Sequence, residues 1–417
     1  MRRLLLLLSL ALVATAVQPA TAQATTTGSG FNRVAYFIQW GIYGRNYHVK
    51  DVDTSGAAAK LTHINYAFGF VNAAGECYSA DPWADWQRGV PAEQSVDGVA
   101  DDWTGPLQGN MNQLKKLKAK HPGLKVLISL GGWTGSAYFS DAVLTPQSRS
   151  KLAASCIDLW LKGNLPDAPG AGAGVFDGID LDWEWPGSDG NAGNVIRPED
   201  KQNFTLFLAE LRRQMNAFDR RSQLTAFLPA AAAKIDAGFE VRKVFDYLDF
   251  ATIQGYDLHG TWELQTGHNG NLFTDRKDPN PVKYSVDQTV RDYLSRGAPK
   301  RKLVIGVPAY GQGWTGVTAG GNGLWKPATG PAAGKWGPGT EDYKDLATKP
   351  GKRYRDLLTG SQWLYDGNQF WSYDDPAVML EKAAYIRLKG LGGSMMWSID
   401  GDDSKASLTK ALWSILR

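Results

Sequence analysis

Between Val175 and Pro186 the chain reads Val-Phe-Asp-Gly-Ile-Asp-Leu-Asp-Trp-Glu-Trp-Pro, and no other stretch restricts the fold as much. Asp180, Asp182 and Glu184 stand two apart, with Ile179, Leu181 and Trp183 between them. On a strand the side chains alternate, so the acids share one face and the apolar residues take the other. Both faces of such a strand need cover. Acids on a buried face repel one another and lose hydration, which raises their pKa values and favours a proton shared along the row. A neutral carboxylic acid near pH 7 is what a general acid requires. The competing readings are a cation site and a solvated acidic edge. Calcium usually takes its acids from Gly/Asn-rich loops, and a solvated edge is not interleaved with two tryptophans.

The rest of the chain repeats one rhythm. Short apolar runs fall at Val34–Gln39, Leu61–Phe68, Lys125–Leu130, Val175–Trp183, Leu224–Pro229, Leu248–Gln254, Leu303–Pro308 and Gly393–Trp397. Helical patterns lie between them, at Met111–Lys120, Ser148–Lys162, Lys201–Phe218 and Asp287–Arg296. Phe204, Phe207, Leu208 and Leu211 have the i, i+3, i+4, i+7 spacing of an amphipathic helix. Buried runs alternating with such helices predict parallel βαβ units, and eight of them predict a (β/α)8 TIM barrel. A doubly wound open sheet is the alternative. In a barrel the site lies at the carboxyl ends of the strands. Glu184, Tyr256-Asp257, Tyr310 and Trp397 all fall at or just past such ends.

One interval breaks the rhythm. The seventh run ends at Pro308 and the eighth starts only at Gly393, far beyond what one crossover helix needs. Residues 312–375 are rich in Gly, Trp, Tyr and Lys, with strand-like pieces at Gln362–Tyr365 and Gln369–Ser372. They predict a small α+β insertion domain, the barrel being residues 31–311 and 376–417. Residues 72–110 form a second long connection, whose Trp83, Trp86 and Trp103 are expected at a cleft rim.

The N-terminus has Arg2 and Arg3, an apolar run through Val17, and small residues at Ala20, Ala22 and Ala24, so residues 1–24 read as a secretory signal peptide. The formal charge is +3, or +1 without that segment, which indicates neither nucleic acid nor a polyanion as partner. No later run reaches the ~20 apolar residues of a membrane span. Export permits a disulfide between Cys77 and Cys156, although two free thiols fit their contexts equally well. The histidines at 48, 63, 121, 259 and 268 lack metal-ligand spacing, so neither a metal nor another cofactor is expected.

Asp177-x-x-Asp180-x-Asp182-x-Glu184 resembles the signature of the family 18 glycoside hydrolases, the chitinases and their relatives. Ser129-x-Gly131-Gly132 and Gln254-x-Tyr256-Asp257 are similar to two further motifs of that family, with Gln254 where Met is usual. The long interval after the seventh run resembles the insertion of the bacterial-type, deep-cleft members. The resemblance implies substrate-assisted catalysis, in which the substrate's own acetamide attacks the anomeric carbon. It assigns Glu184 as acid/base, Asp182 as the carboxylate that moves between Asp180 and the acetamide, and Asp177 as a supporting acid. Tyr256 is implied as donor to the acetamide oxygen, Asp257 as partner of sugar hydroxyls, and Trp397 as the floor of the −1 subsite. Tyr36, Tyr66, Phe68 and Tyr310 resemble the aromatics of that pocket. Trp133 and Trp262 are candidate stacking surfaces, and Ser129 a support for Asp180.

The function this resemblance implies, with the leader, is a secreted, monomeric chitinase that hydrolyses β-1,4-linked N-acetylglucosamine polymers with retention. Its partners are chitin or chito-oligosaccharides, with no nucleic acid and no membrane. The alternatives are an endo-β-N-acetylglucosaminidase acting on glycoprotein glycans and a chitin-binding lectin on the same fold. Glu184 separates the last from the others, because a lectin has no need of the acid.

Overall fold

The computed structural model describes residues 30–417, so the leader expected at residues 1–24 lies outside the described residues. Strands β1 (Asn32–Ile38) and β2 (His63–Val71) open the fold, and the short β3 (Cys77–Tyr78) turns back on β2. Then come β4 (Lys125–Gly131), β5 (Gly178–Asp182), β6 (Gln223–Leu228), β7 (Phe250–Ile253) and β8 (Leu303–Pro308), each reached through helix. Strands β9 (Tyr310–Thr315), β10 (Gly330–Pro331), β11 (Thr340–Asp342), β12 (Lys352–Asp356), β13 (Ser361–Tyr365) and β14 (Phe370–Tyr373) form a second, antiparallel sheet. β15 (Gly393–Trp397) returns to the first.

The first sheet runs β1-β15-β8-β7-β6-β5-β4-β2 and closes because β1 also pairs in parallel with β2. This is the eight-stranded barrel the apolar runs predict, and closure excludes the open doubly wound sheet. The second sheet sits between the seventh and eighth barrel strands, where the rhythm of the sequence breaks.

Local chemistry explains where the helices stop and start. Thr145 accepts a hydrogen bond from the Ser148 amide at 3.1 Å ahead of Pro146, opening the helix Pro146–Cys156. The pattern read as continuing to Lys162 does continue, but through a wider π-type turn over Ile157–Leu161. Asp375 caps the helix Pro376–Lys389, and Gly390 ends it in the left-handed region that glycine enters freely. The barrel strands are buried on both faces. Along β5 and just past it the apolar parity points outward: Trp183 stacks on Phe139 and meets Phe204 at a tilt, both carried by surrounding helices.

Cys77 and Cys156 form a disulfide, which resolves the alternative the sequence left open. It ties the β3 edge to the end of the helix Pro146–Cys156 across a separation of 79 residues. Cross-linking so long a segment restricts the unfolded chain. Cys77→Ser/Cys156→Ser is expected to lower stability by about 2–4 kcal/mol, read from guanidinium unfolding midpoints with and without reductant.

Candidate active site

The carboxyl ends of the barrel strands open into one cavity of about 900 Å³. Asp182, Glu184, Gln254, Tyr256, Asp257, Tyr310 and Trp397 line it, with Phe68, Trp133 and Trp262. Far apart in sequence, these residues meet because parallel strands deliver their ends to the same face.

Beneath the cavity floor Asp180 is completely buried. Tyr36 Oη and Ser129 Oγ donate to its Oδ2 at 2.7 and 2.8 Å, and Thr225 Oγ1 donates to Oδ1 at 2.5 Å. Burial raises its pKa, and the three hydroxyl donors act against that rise. Asp182 stands one step nearer the mouth. Burial and then the charges of Glu184 and Asp180 push its carboxyl well above the usual range. Its Oδ1 is buried, and no hydroxyl or amide donates to it among the described residues. The Asp182 and Glu184 carboxyls share a side-chain hydrogen bond, so one proton serves the pair where the row meets the cavity.

Glu184 follows just beyond β5. Its backbone amide donates to Ser136 Oγ at 2.9 Å, and its carbonyl accepts from Asn194 Nδ2 at 2.8 Å, which fixes the residue at both ends. Burial, followed by the charge of Asp257, pushes its carboxyl up to about 8, with Lys234 pulling the other way. Asp257 holds a left-handed backbone, φ 52°, pinned by its amide donating to Asn269 Oδ1 at 2.8 Å. Gln312 of β9 donates to Asp257 Oδ1 at 2.8 Å, so the second sheet reaches into the site. Burial and the Asp182 charge raise the Tyr256 phenol well above its ordinary value, which keeps it a proton donor. Gln254 uses Oε1 to accept the Ala230 amide at 3.1 Å.

The aromatic wall is continuous. Phe68 stacks on Trp397 with centroids 5.7 Å apart and on Trp40 at 6.1 Å. Behind it the glycines are obligatory. A Cβ on Gly131 would lie 2.4 Å from the Asp182 carbonyl oxygen, and one on Gly132 2.6 Å from the Phe68 ring. The Gly132 amide donates to that same Asp182 carbonyl at 2.8 Å. Both glycines thus seat the acid row from behind.

The pocket aromatics Tyr36 and Tyr66 and the rim tryptophans need correction, while Asp177, the supporting acid of the motif, stands at the opposite end of β5 from the row's mouth, where it stitches strands through Lys118 and the Val126 amide at 2.7 and 2.9 Å. Its odd offset from Asp180 keeps it out of the row. Tyr36 does not line the cavity: it sits in mid-strand on the inward parity and therefore lies under the floor. Tyr66, likewise mid-strand, is barrel core bonded to Asp85. Of the rim tryptophans, Trp86 is buried and donates to Asp167 at 2.8 Å, and none of Trp83, Trp86 and Trp103 lines the cavity. The sequence reading missed Trp40, Trp185, Lys234 and Tyr284, all of which do line it. The strand-end rule reaches Trp40, two residues past β1. Nothing local marks Lys234, a helix residue paired with Asp189 at 3.3 Å.

A barrel mouth holding buried acids of raised pKa between aromatic walls defines the class of protein: a barrel glycoside hydrolase scaffold. The comparisons narrow this class. The chain belongs to the glycosyl hydrolases family 18, whose pattern matches residues 32–402. It is 39% identical over 393 residues to Chitinase C of Streptomyces lividans, covering 91% of this chain and 60% of that protein. It is 37% identical to Chitinase A1 of Niallia circulans, over 97% of this chain and 61% of that one. The chain therefore spans about six tenths of the length of these two relatives. Among solved structures, the catalytic domain of psychrophilic chitinase B from Arthrobacter TAD20 superposes with a TM-score of 0.90 at 46% identity, covering 93% of this chain and 95% of that one.

The titration of Glu184 is directly measurable. A raised carboxyl pKa means the neutral acid persists at pH 7 and is lost as pH rises through about 8. Carboxyl-carbon NMR of the wild type against Glu184→Gln is expected to show one resonance titrating near there, distinct from ordinary glutamates at about 4.3. Titration of Glu184 in the ordinary range is the contrary result.

Proposed function

We propose that this chain is a secreted chitinase, hydrolysing β-1,4-linked N-acetylglucosamine polymers with retention of anomeric configuration. The observation that carries the reading is the acid row itself: Asp182 and Glu184 line the cavity and share a side-chain hydrogen bond, with the buried Asp180 behind them. An enzyme using its own nucleophile needs a second carboxylate on the far side of the bond. Here the acids form a single row, which suits a substrate that supplies the nucleophile.

In this mechanism the −1 sugar lies on Trp397, and Glu184 donates its proton to the glycosidic oxygen. The 2-acetamido oxygen attacks the anomeric carbon, forming a cyclic oxazolinium ion as the leaving sugar departs. Asp182 accepts the acetamide N–H, stabilising the positive charge that develops there. Tyr256 donates to the acetamide oxygen and aims it. Glu184, now a carboxylate, takes a proton from water as that water opens the ring from the face the leaving group vacated. Asp180 and its three hydroxyl donors take up the change of charge when Asp182 turns to the substrate. Asp257 and Gln254 bind sugar hydroxyls, while Trp133, Trp262 and Tyr310 extend the contact along the polymer.

The Cys77–Cys156 bond supports export, since disulfides persist in oxidising compartments. We read residues 312–375 as an insertion domain that braces the cleft from behind, supported by the Gln312–Asp257 bond. The intact Glu184 opposes the lectin alternative, and a cavity with aromatics along its length opposes a site for one short glycan.

Two measurements test this reading. Glu184→Gln is expected to lose about 10²–10⁴-fold in kcat while still binding chitohexaose, because the acid acts only in the chemical step. Asp182→Asn is expected to lower kcat strongly and to alter the pH profile, which an isolated Glu184 would not explain. Fresh products followed by proton NMR are expected to appear first as the β-anomer. An α-anomer burst would rule out retention, and unchanged turnover in Glu184→Gln would rule out the acid assignment.

A further inference from the structure

Asp85 lies in the long connection between β3 and β4, on the π-type turn Trp83–Gln87, with its side chain wholly buried. It takes no part in the chemistry above. Gln39 Nε2 donates to its Oδ1 at 2.6 Å, Tyr66 Oη donates to the same oxygen, and Ser79 Oγ donates to Oδ2. All three partners are neutral. Tyr66 Oη also accepts from Asn110 Nδ2 at 3.1 Å and Ser79 Oγ from the Asp81 amide at 3.1 Å, which holds both hydroxyls in place. As a carboxylate Asp85 accepts from all three donors at once. Protonation would require one hydroxyl to give up its donation and accept instead.

The residue this network holds is Gln39, which Asn110 also grips through its main-chain carbonyl at 3.2 Å. The next residue is Trp40, which lines the cavity and stacks on Phe68. Thus the side chain of Gln39, at the head of the turn Gln39–Ile42 that carries the indole, is held to the long connection by the buried Asp85 carboxylate, with Asn110 on its main chain and Tyr43 on Asp81 as further ties.

We propose that Asp85 is a positioning residue that fixes Trp40 through Gln39 and so sets the affinity of the cleft for the sugar stacked on that indole. This rests on the carbohydrate reading given above. Burial pushes the Asp85 carboxyl up to about 6, with Asp81 adding to the rise. The titratable groups around it are Tyr66 from β2, Tyr43 from the turn after β1, and Asp81 and Arg88 on its own connection. The helix Gly109–Lys120 presents Asn110, which does not titrate. With a raised pKa the carboxylate is present above about pH 6 and lost below it, so the network releases Gln39 on the acid side.

The test uses the full chain with chitohexaose. Asp85→Asn is expected to raise KM about three- to tenfold with kcat within about twofold, the size of one aromatic stacking contact. Adding it to Trp40→Ala should raise KM no further. In the wild type KM should climb as pH falls through about 6, and in Asp85→Asn it should stay high across that window. Gln39→Met, which leaves Tyr66 and Ser79 on Asp85, should reproduce the KM effect and serves if Asp85→Asn does not fold. An independent arm needs no substrate: 19F NMR of 5-fluorotryptophan-labelled protein, with Trp40 assigned through Trp40→Phe. That resonance should move with a midpoint near pH 6 in the wild type and not in Asp85→Asn. A Trp40 line indifferent to both, unchanged KM, or additivity with Trp40→Ala overturns the proposal. Failure of the wild type to bind or cleave chitohexaose overturns the functional reading instead, and leaves the 19F arm to decide the link between Asp85 and Trp40.

Discussion

A carboxyl row inside a barrel is the constraint on which the molecule turns. β5 delivers Asp180 and Asp182 inward, into a region where an ion is poorly solvated and where the charges of Glu184 and Asp180 add to the cost of ionising Asp182 between them. The surroundings meet the two acids unequally. Asp180 has three hydroxyl donors, while Asp182 shares its hydrogen bond with Glu184, another acid. That inequality gives the row a direction, from an acid held by hydroxyls in the core to a pair sharing a proton at the mouth. Glu184, its carboxyl pushed up to about 8, lines the cavity at the outer end.

Parts remote in sequence hold this arrangement. Asp257 keeps an unfavourable left-handed backbone because Asn269 takes its amide, and the Asn269 amide in turn donates to Ser372 Oγ of β14 at 2.8 Å. Arg45, just after β1, reaches Asp342 of the second sheet and Asp400 beyond β15, both at 2.7 Å, and lies 4.1 Å over the Trp336 ring. Such a planar cation can satisfy two carboxylates and a ring at once, which an ammonium cannot do with the same geometry. The second sheet therefore acts on the barrel mouth directly, through Gln312 and through these ties.

Legibility followed physical range. The eight barrel strands were readable because a strand covered on both faces has to be apolar in a continuous run, and the helices because their period of 3.6 shows in Phe204, Phe207, Leu208 and Leu211. Glu184, Tyr256, Asp257 and Trp397 were readable as strand-end residues. Tyr36 was misplaced since its depth in the barrel depends on where along β1 the mouth begins, which no local pattern states. Asp177 stood apart from the row by its odd offset, but its lysine partners Lys118 and Lys125 were not legible. Lys234 and the Asp85 network had no local signal, because their meaning lies in contacts with distant segments.

The alternation of acid and apolar residues, the eight buried runs and the motifs at their ends follow from the chain alone, because each is a property of a few consecutive residues and of the period of the element they form. The disulfide, the unequal hydrogen bonding of Asp180 and Asp182, and the seating of Trp40 were decided only on closure of the barrel. Each depends on distances between segments far apart in the chain, and those distances exist only once the strands have registered against one another and the core has packed.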